Sequence, residues 1–416
     1  GADLILTART TRTKLPRTET PVLGVETMHG GMHSTRPPAA QNAGAQSSRP
    51  PAYVIYTSGS TGEPKGVLVS QAALSNHCKA IVDYFELRPG DRALQFASPS
   101  FDVALEEIFP TLAAGATLVL RDQQSITSIR DFFDYVEDKR ISVLNLPTAF
   151  WQTLVTHKHA RLWPLCLRLL VIGGEKASRT AHQRFRAEQS AHIRWLNGYG
   201  PTEATITSTI YDDAEQDHEA ALPIGRPIDG VSHFVLDAQQ RLMPPGAVGQ
   251  LYIGGAGLAE GYLDRPEATA KAFIPHPFLP SGRIYATGDL AFMTQRGNFV
   301  YVDRKDNQLK IRGFRVEPGE VEAQLQTLEG VADAVVVPSY GKEITLTAHL
   351  LIEDGRLDPE QIRAELAERL PSYMVPSRYQ QHESFPKTPS GKIDRVVLVK
   401  QLARERRNSR VSRRST

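Results

Sequence analysis

From Tyr53 onward the chain alternates short apolar runs with longer segments in which apolar residues recur every three or four positions. AYVIY, RALQFAS, TLVLRD, VLNLP and LRLLVIGG are of the first kind, QAALSNHCKAIVDYF and LEEIFPTLAAG of the second. Short apolar runs bounded by turn residues predict buried strands, and the wider spacing predicts helices. Their alternation predicts a parallel α/β sheet over about residues 53–215. Over residues 222–302 helical spans become few, and SHFVLDA, GQLYIGG and NFVYVD lie between Gly and Pro turns, which predicts a β-rich, barrel-like subdomain. GGAGLAEG imitates a dinucleotide fingerprint, but Glu260 stands where the third Gly belongs, so it reads as a strand-ending turn.

A third unit begins near Lys305. EVEAQLQTLEG puts Val321, Leu325 and Leu328 on one helical face, with Gly330 expected as the C-cap. VADAVVV and ITLTAHLLI read as strands, and Asp358-Pro359 as an N-cap and first helical position. The expected fold class is therefore α/β: a large region of parallel sheet with a β-barrel-like subdomain, then a small α+β lid domain. The expected division is residues 1–304 for the large core, 305–400 for the small mobile domain and 401–416 for a tail. GADLILT reads as a short strand, and residues 8–52, poor in large apolar residues, as mostly loop.

At 416 residues the chain is long enough for two or three domains, and 41% hydrophobic and 23% charged residues are ordinary for a globular protein. The net charge of +2 is unevenly spread: residues 401–416 carry six Arg against one Glu. That tail is expected to be disordered and solvated. The near-neutral body offers no reason to expect nucleic acid or a membrane as a partner. Two cysteines, Cys78 and Cys166, cannot form a disulfide framework and read as small core residues. The absence of a signal-like or long apolar segment makes the cytoplasm the expected location. The start at Gly1 rather than Met is that of a piece or a processed form.

The candidate chemistry begins at YVIYTSGSTGEPKGV, Tyr53 to Val67, where a strand runs into a loop of Gly, Ser and Thr closed by Lys65. Such a loop offers an anion many N–H and hydroxyl donors, and its glycines permit close approach. It is not a Walker A loop: Gly391-Lys392 is followed by Ile393, and no other stretch fits better. Downstream lie NGYGPTEATI (Asn197 to Ile206), IYATGDL (Ile284 to Leu290), DRKDNQLKIRGFRVEPGEVE (Asp303 to Glu322), LPSYMVP (Leu370 to Pro376) and PSGKIDR (Pro389 to Arg395). In order and approximate spacing these strings resemble the core motifs of nonribosomal peptide synthetase adenylation domains, within the superfamily of acyl-CoA synthetases and luciferases. The resemblance runs from Tyr53 to about Leu398.

Several implications follow from the resemblance. ATP and Mg²⁺ are expected, with an amino-acid carboxylate joined to the α-phosphate and pyrophosphate expelled. Thr57, Ser58, Gly59, Ser60, Thr61, Gly62 and Lys65 would cradle phosphate. Gly174, Asn197, Tyr199, Gly200, Asp289 and Arg304 would serve the nucleoside: Tyr199 with a flat face for adenine, Asn197 with an amide for its edge, Asp289 with a carboxylate for the ribose hydroxyls. Glu203 would hold Mg²⁺ through oxygen, as a hard cation requires, and Thr202 would donate to the α-phosphate. Lys392 would bridge the two reacting anions as a point charge. The small domain would swing about Asp306, bringing in Lys392 in one pose and the loop at Gly313 in the other. Standing alone, Asp289 reads as a turn aspartate, Arg304 as a surface charge and Lys392 as an exposed turn lysine.

SFDVALEEIF, Ser100 to Phe109, resembles the segment carrying the amino-acid pocket. Asp102 would hold the substrate α-ammonium, although it also reads as the N-cap of the following helix. The remaining pocket positions are Val103, Glu106, Asn145, Val171, Gly173, Gly198, Ile206 and Thr207. A second acid, Glu106, in a small apolar pocket needs a partner, and the expectation is a basic or amine-bearing substrate of the ornithine or lysine kind, as in siderophore and other secondary-metabolite peptides. Its phosphopantetheine acceptor would sit on a peptidyl carrier domain, with a condensation domain as neighbour. Three departures stand out: the family's long α/β segment before GADLILT is lacking, no carrier motif follows Lys392, and Ala286 replaces a usual basic residue. The alternatives are a ligase loading an acyl acid onto CoA, which Asp102 disfavours, and an inactive truncated remnant.

Overall fold

The computed structural model describes residues 5–7, 22–24, 50–59, 64–121, 126–157, 162–187, 190–215, 221–306, 308–341, 344–352, 358–387 and 393–412. Residues Gly1–Ser48 form one compact unit, in which β1 (Ile5–Thr7) pairs in parallel with β2 (Val22–Gly24). The second unit, Arg49–Thr416, contains everything else and is described by itself.

Its first part runs β3 (Pro51–Thr57), β4 (Lys65–Ser70), α1 (Gln71–Tyr84), β5 (Arg92–Gln95), α2 (Val103–Ala113), β6 (Thr117–Leu120), α3 (Ile129–Asp138), β7 (Val143–Pro147), α4 (Thr148–Thr156), β8 (Leu169–Gly173), α5 (Arg179–Ala187), β9 (Arg194–Tyr199), β10 (Thr209–Asp212) and β11 (Arg226–Pro227). The sheet order is β11-β10-β9-β8-β7-β5-β6, with β6, β5, β7, β8 and β9 mutually parallel and β10 and β11 antiparallel. The apolar runs thus became central strands: Leu169 to Ile172 are at most 2% exposed. Helix α3 starts at Ser128, whose hydroxyl accepts from Asp131 N, and turns Phe132, Phe133, Tyr135 and Val136 inward. There they meet Trp151, Trp163, Phe185 and Trp195 in an aromatic core of edge-on and tilted pairs.

The β-rich part comprises β12 (Val231–Leu236), β13 (Gly249–Gly255), β14 (Gly261–Tyr262), α6 (Pro266–Ala272), β15 (Phe273–Pro275), β16 (Arg283–Met293) and β17 (Phe299–Arg304). Its main sheet follows the path β12-β13-β16-β15, with β17 also on β16, while β14 joins β4 and β3 in a separate sheet. Among the described residues the expected barrel is an open sheet, branched at β16. GGAGLAEG ends β13, and Gly255 takes φ +104° there, so the turn reading holds.

The small domain runs β18 (Leu309–Ile311), β19 (Phe314–Val316), α7 (Pro318–Leu325), β20 (Val331–Tyr340), β21 (Ile344–Ile352), α8 (Pro359–Arg369), β22 (Arg378–His382) and α9 (Arg395–Ser412). Val321, Leu325 and Leu328 are buried as their spacing predicts, but α7 is capped at Gln326, ahead of the expected Gly330. Asp358 caps α8 through Glu360 N and Gln361 N. The tail expectation fails over its first twelve residues: α9 carries them to Ser412. Leu398 and Leu402, four apart and so on one helix face, bury themselves against Val335, Val337 and Phe385, and that docking overrides the unfavourable charge run. Cys78 and Cys166 are half-buried, free thiols, not core residues.

Candidate active site

The expected pocket residues converge at the carboxyl ends of β7, β8 and β9, where open α/β sheets bind ligands. Asn145 lies beside Val171, and Pro147, Gly173 and Gly198 stand abreast in register. A methyl group on Gly173 would sit 3.0 Å from the Gly198 carbonyl, and one on Gly198 would touch Thr207 at 3.5 Å, so both glycines keep the strands' ends open. Gly200 is obligatory: a side chain there would strike the Ile206 carbonyl at 1.8 Å. The loop reaches that carbonyl through two successive left-handed residues, Thr205 (φ 58°) and Ile206 (φ 72°), a strained arrangement for β-branched side chains.

Asp102 precedes α2 without the usual N-cap hydrogen bond into the first turn; its carboxylate is met instead by the Thr202 hydroxyl and by Val103 N. Shelter from water raises its pKa, the Thr202 hydroxyl opposes this, and the nearby Glu106 adds to it. Val103 begins α2, and Glu106 points from that helix into the interior, 3% exposed. Glu106 does not wait on a substrate for every partner: Asn145 Nδ2 donates to Oε1 at 2.8 Å, and His77 Nε2 lies 3.0 Å from Oε2. The void beyond Glu106, bounded by Phe85, Leu94 and Val143, is about 10 Å³, room for no more than one water.

On the nucleotide side, Glu203 is fully buried. Tyr262 donates its hydroxyl to Oε1 at 2.7 Å, and Arg315 Nη1 reaches both oxygens at 3.0 and 2.9 Å. Burial alone would raise the Glu203 pKa, but the Arg315 cation and the Tyr262 hydroxyl hold it below the usual range. Lys65 Nζ sits 5.4 Å over the Tyr262 ring. Asp289 accepts from the Tyr199 hydroxyl and from Arg304 Nη1 at 2.8 Å. Arg304 also clamps Asp306, the expected hinge, at 2.6 and 2.7 Å. Arg304 thus meets two carboxylates and is no isolated surface charge. One N–H of the buried Asn197 amide donates to the Pro223 carbonyl at 2.7 Å.

The small domain reaches into this site through the β18–β19 hairpin. Gly313 N donates to Glu175 Oε1 at 2.5 Å, and the Gly313 backbone lies over Gly174, which takes φ +91°. Ser58 Oγ donates to the Arg315 carbonyl at 2.9 Å. Lys310 Nζ lies 5.6 Å over the Tyr199 ring, the face expected for adenine, and burial lowers its pKa against the pull of Asp289. Phe314 stacks on Tyr373 at 4.0 Å and meets Phe101 edge-on at 4.5 Å.

Ser60, Thr61, Gly62 and Lys392 lie outside the described residues, whereas Thr57, Ser58, Gly59 and Lys65 flank the loop as expected. The residues sequence reasoning missed are Tyr262, Lys310, Arg315 and His77. Lys310 and Arg315 stand inside the Asp303–Glu322 string, whose cations were the available signal. His77 had none: it occupies a core position of the α1 stripe with Ala73, Ala80 and Ile81. Among the described residues no group of three or more His, Cys, Asp or Glu side chains could hold a metal, and no helix is long and apolar enough to cross a membrane.

The fold is that of the adenylate-forming enzymes, and the comparisons agree. Residues 4–263 match the AMP-binding enzyme family and residues 320–392 the AMP-binding enzyme C-terminal domain; the chain belongs to this family, in the form of a peptide synthetase adenylation domain. It is 39% identical over 349 residues, 83% of its length, to bacitracin synthase 1 of Bacillus licheniformis, of which it spans 6%. Among solved structures it resembles an artificially fused adenylation–PCP di-domain NRPS, NpsA-ThdA from Klebsiella oxytoca (TM-score 0.78, 26% identity, 91% of this chain and 74% of that one). It also resembles the Vibrio cholerae adenylation domain AlmE in complex with glycyl-adenosine-5'-phosphate (TM-score 0.73, 27% identity, 86% of this chain and 68% of that one).

Proposed function

We propose that this chain activates an amino acid as its aminoacyl-adenylate and then passes it to the phosphopantetheine thiol of a carrier domain. In the first step a carboxylate oxygen bonds to the α-phosphorus of ATP and pyrophosphate leaves. In the second the thiol sulfur takes the acyl carbon, its proton is lost and AMP leaves. The observation that carries the reading is Asp102: a sheltered carboxylate without the usual N-cap bond, met by Thr202 of the nucleotide loop, itself followed by Glu203. An α-ammonium on Asp102 would bring the substrate carboxylate toward Thr202. A fatty or aryl acid has no use for Asp102.

Glu203 suits Mg²⁺, a hard cation usually held by one or two carboxylates plus nucleotide phosphates. A bound Mg²⁺ would neutralise phosphate charge. Both Glu203 oxygens now face Arg315, so this carboxylate would have to exchange the guanidinium for a metal were Mg²⁺ to bind. With the Gly313 loop against Gly174 and Glu175, the arrangement matches the pose expected for thioester formation, and Lys392 would enter in the other.

The proposed substrate is a basic or amine-bearing amino acid. Asn145 is a neutral donor, and a cationic side chain would supply the countercharge that a buried Glu106 still needs. ATP–pyrophosphate exchange against the common amino acids plus ornithine and its hydroxylated form tests both levels. Exchange with one basic amino acid supports the whole reading. Exchange with a neutral one keeps the chemistry and removes the basic substrate, and equal rates with leucine and ornithine do the same. No exchange from a cooperatively melting chain counts against amino-acid activation.

A further inference from the structure

We propose that His77, on α1 and outside every motif of the family, is a specificity-determining residue of the amino-acid pocket, acting with Glu106 on the terminal group of the substrate side chain. The inference rests on the amino-acid pocket proposed above. His77 is 1% exposed, and its Nε2 lies 3.0 Å from Glu106 Oε2. The two atoms are close enough for a charge contact but are not aligned as a hydrogen bond, so Nδ1 and Nε2 of His77 and Oε2 of Glu106 all lack a bonded partner. Three buried polar atoms in one place without partners are costly and rare in a finished site. The other Glu106 oxygen is satisfied by Asn145 at 2.8 Å.

His77 places the polar edge of its ring beside Glu106 Oε2 without bonding it, and so leaves the pair to be completed by a hydrogen-bond donor from the ligand. An amine has several N–H groups and completes it; a methyl group has none. The other titratable groups around the pair are Tyr53, Cys78, Asp102 and Glu107. Burial pushes the Cys78 thiol up to about 11, so it stays neutral and leaves the pair's charge alone.

The test uses ornithyl- and norvalyl-sulfamoyl-adenosine, which share a three-carbon side chain and differ in the terminal amine. Their dissociation constants are measured by calorimetry, a readout that does not need turnover. Replacing His77 by Leu is expected to lower the preference for the ornithyl analogue at least 10-fold, and His77→Gln, which restores a polar edge at similar reach, to return it to within about 3-fold of the starting chain. In a Glu106→Gln background the same His77→Leu change should move the ratio less than about 3-fold, because the pair is already broken. If His77→Leu does not melt cooperatively, His77→Met, with a more adaptable side chain, carries the same comparison. An unmoved ratio in a folded variant overturns the role of His77, even where the unaltered chain prefers ornithyl. A chain that prefers norvalyl, yet shifts its ratio 10-fold in His77→Leu, keeps the role of His77 and removes the basic substrate. Binding of neither analogue overturns both.

Discussion

Two groups of acids lie in neighbouring parts of the candidate site and are partnered in opposite ways. At the pocket, Asp102 and Glu106 stand beside Thr202, Asn145 and His77, and among the described residues no Lys or Arg pairs with them. At the domain junction, Glu203 is met by a guanidinium and a phenol, and Asp289 and Asp306 share Arg304. A carboxylate kept for a ligand is left short of countercharge, at a cost to the empty protein. On the proposed two-pose account, a carboxylate whose partner arrives with the small domain would be satisfied in each pose by a different cation. The signs of the pKa shifts report the same division: Asp102 is raised and Glu203 is lowered.

The largest expected effect falls on Lys392. Its change to Ala should lower pyrophosphate exchange by ~10³-fold, the loss of a charge aimed at the transition state, while thiolation from preformed adenylate stays within a few-fold. Exchange that survives would break the two-pose account. Next is Asp102→Asn. The Michaelis constant for the amino acid in the exchange assay should rise ~10²-fold as the α-ammonium loses its countercharge, with a smaller change in kcat.

Melting curves sharpen the comparison through opposite signs. The raised pKa of Asp102 means that the folded state holds its proton longer than the unfolded one. Stability conferred by that proton is therefore lost as pH rises from the unfolded value of about 3.8 through the folded one. At neutral pH Asp102→Asn should make the ligand-free protein more stable, even as it ruins binding. The lowered pKa of Glu203 has the other sign: its contribution is present above the unfolded value of about 4.5 and is lost as pH falls through the folded one. Glu203→Gln should accordingly lower the melting temperature at neutral pH and flatten the acid limb. Equal shifts in the two variants would erase the distinction. The smallest effect is expected from Arg315→Ala in the exchange assay, within about 3-fold, with thiolation slowed about 10-fold because the thiolation pose loses its cross-domain ion pair.

Much of this was legible along the chain. Apolar runs in 169–172 and the stripe of Val321, Leu325 and Leu328 declared their elements, because burial on a strand or a helix imposes a short period on neighbouring residues. The ordered motifs located the site for a similar reason: a phosphate loop or a glycine such as Gly200 is a local backbone requirement, and local requirements leave local strings. The open β sheet, the docking of α9 and the bond from Asn197 to Pro223 were not visible, since each depends on what a distant segment brings.

By itself, then, the sequence determined the family, the order of elements and which residues carry charge near the nucleotide loop. Only the tertiary structure decided which charges meet. Arg315 finds Glu203 across 112 positions, and Asn145 finds Glu106 across 39. A hydrogen bond between such partners has no periodicity to announce it, because its energy depends on the geometry of both elements and on the water that folding removes from between them.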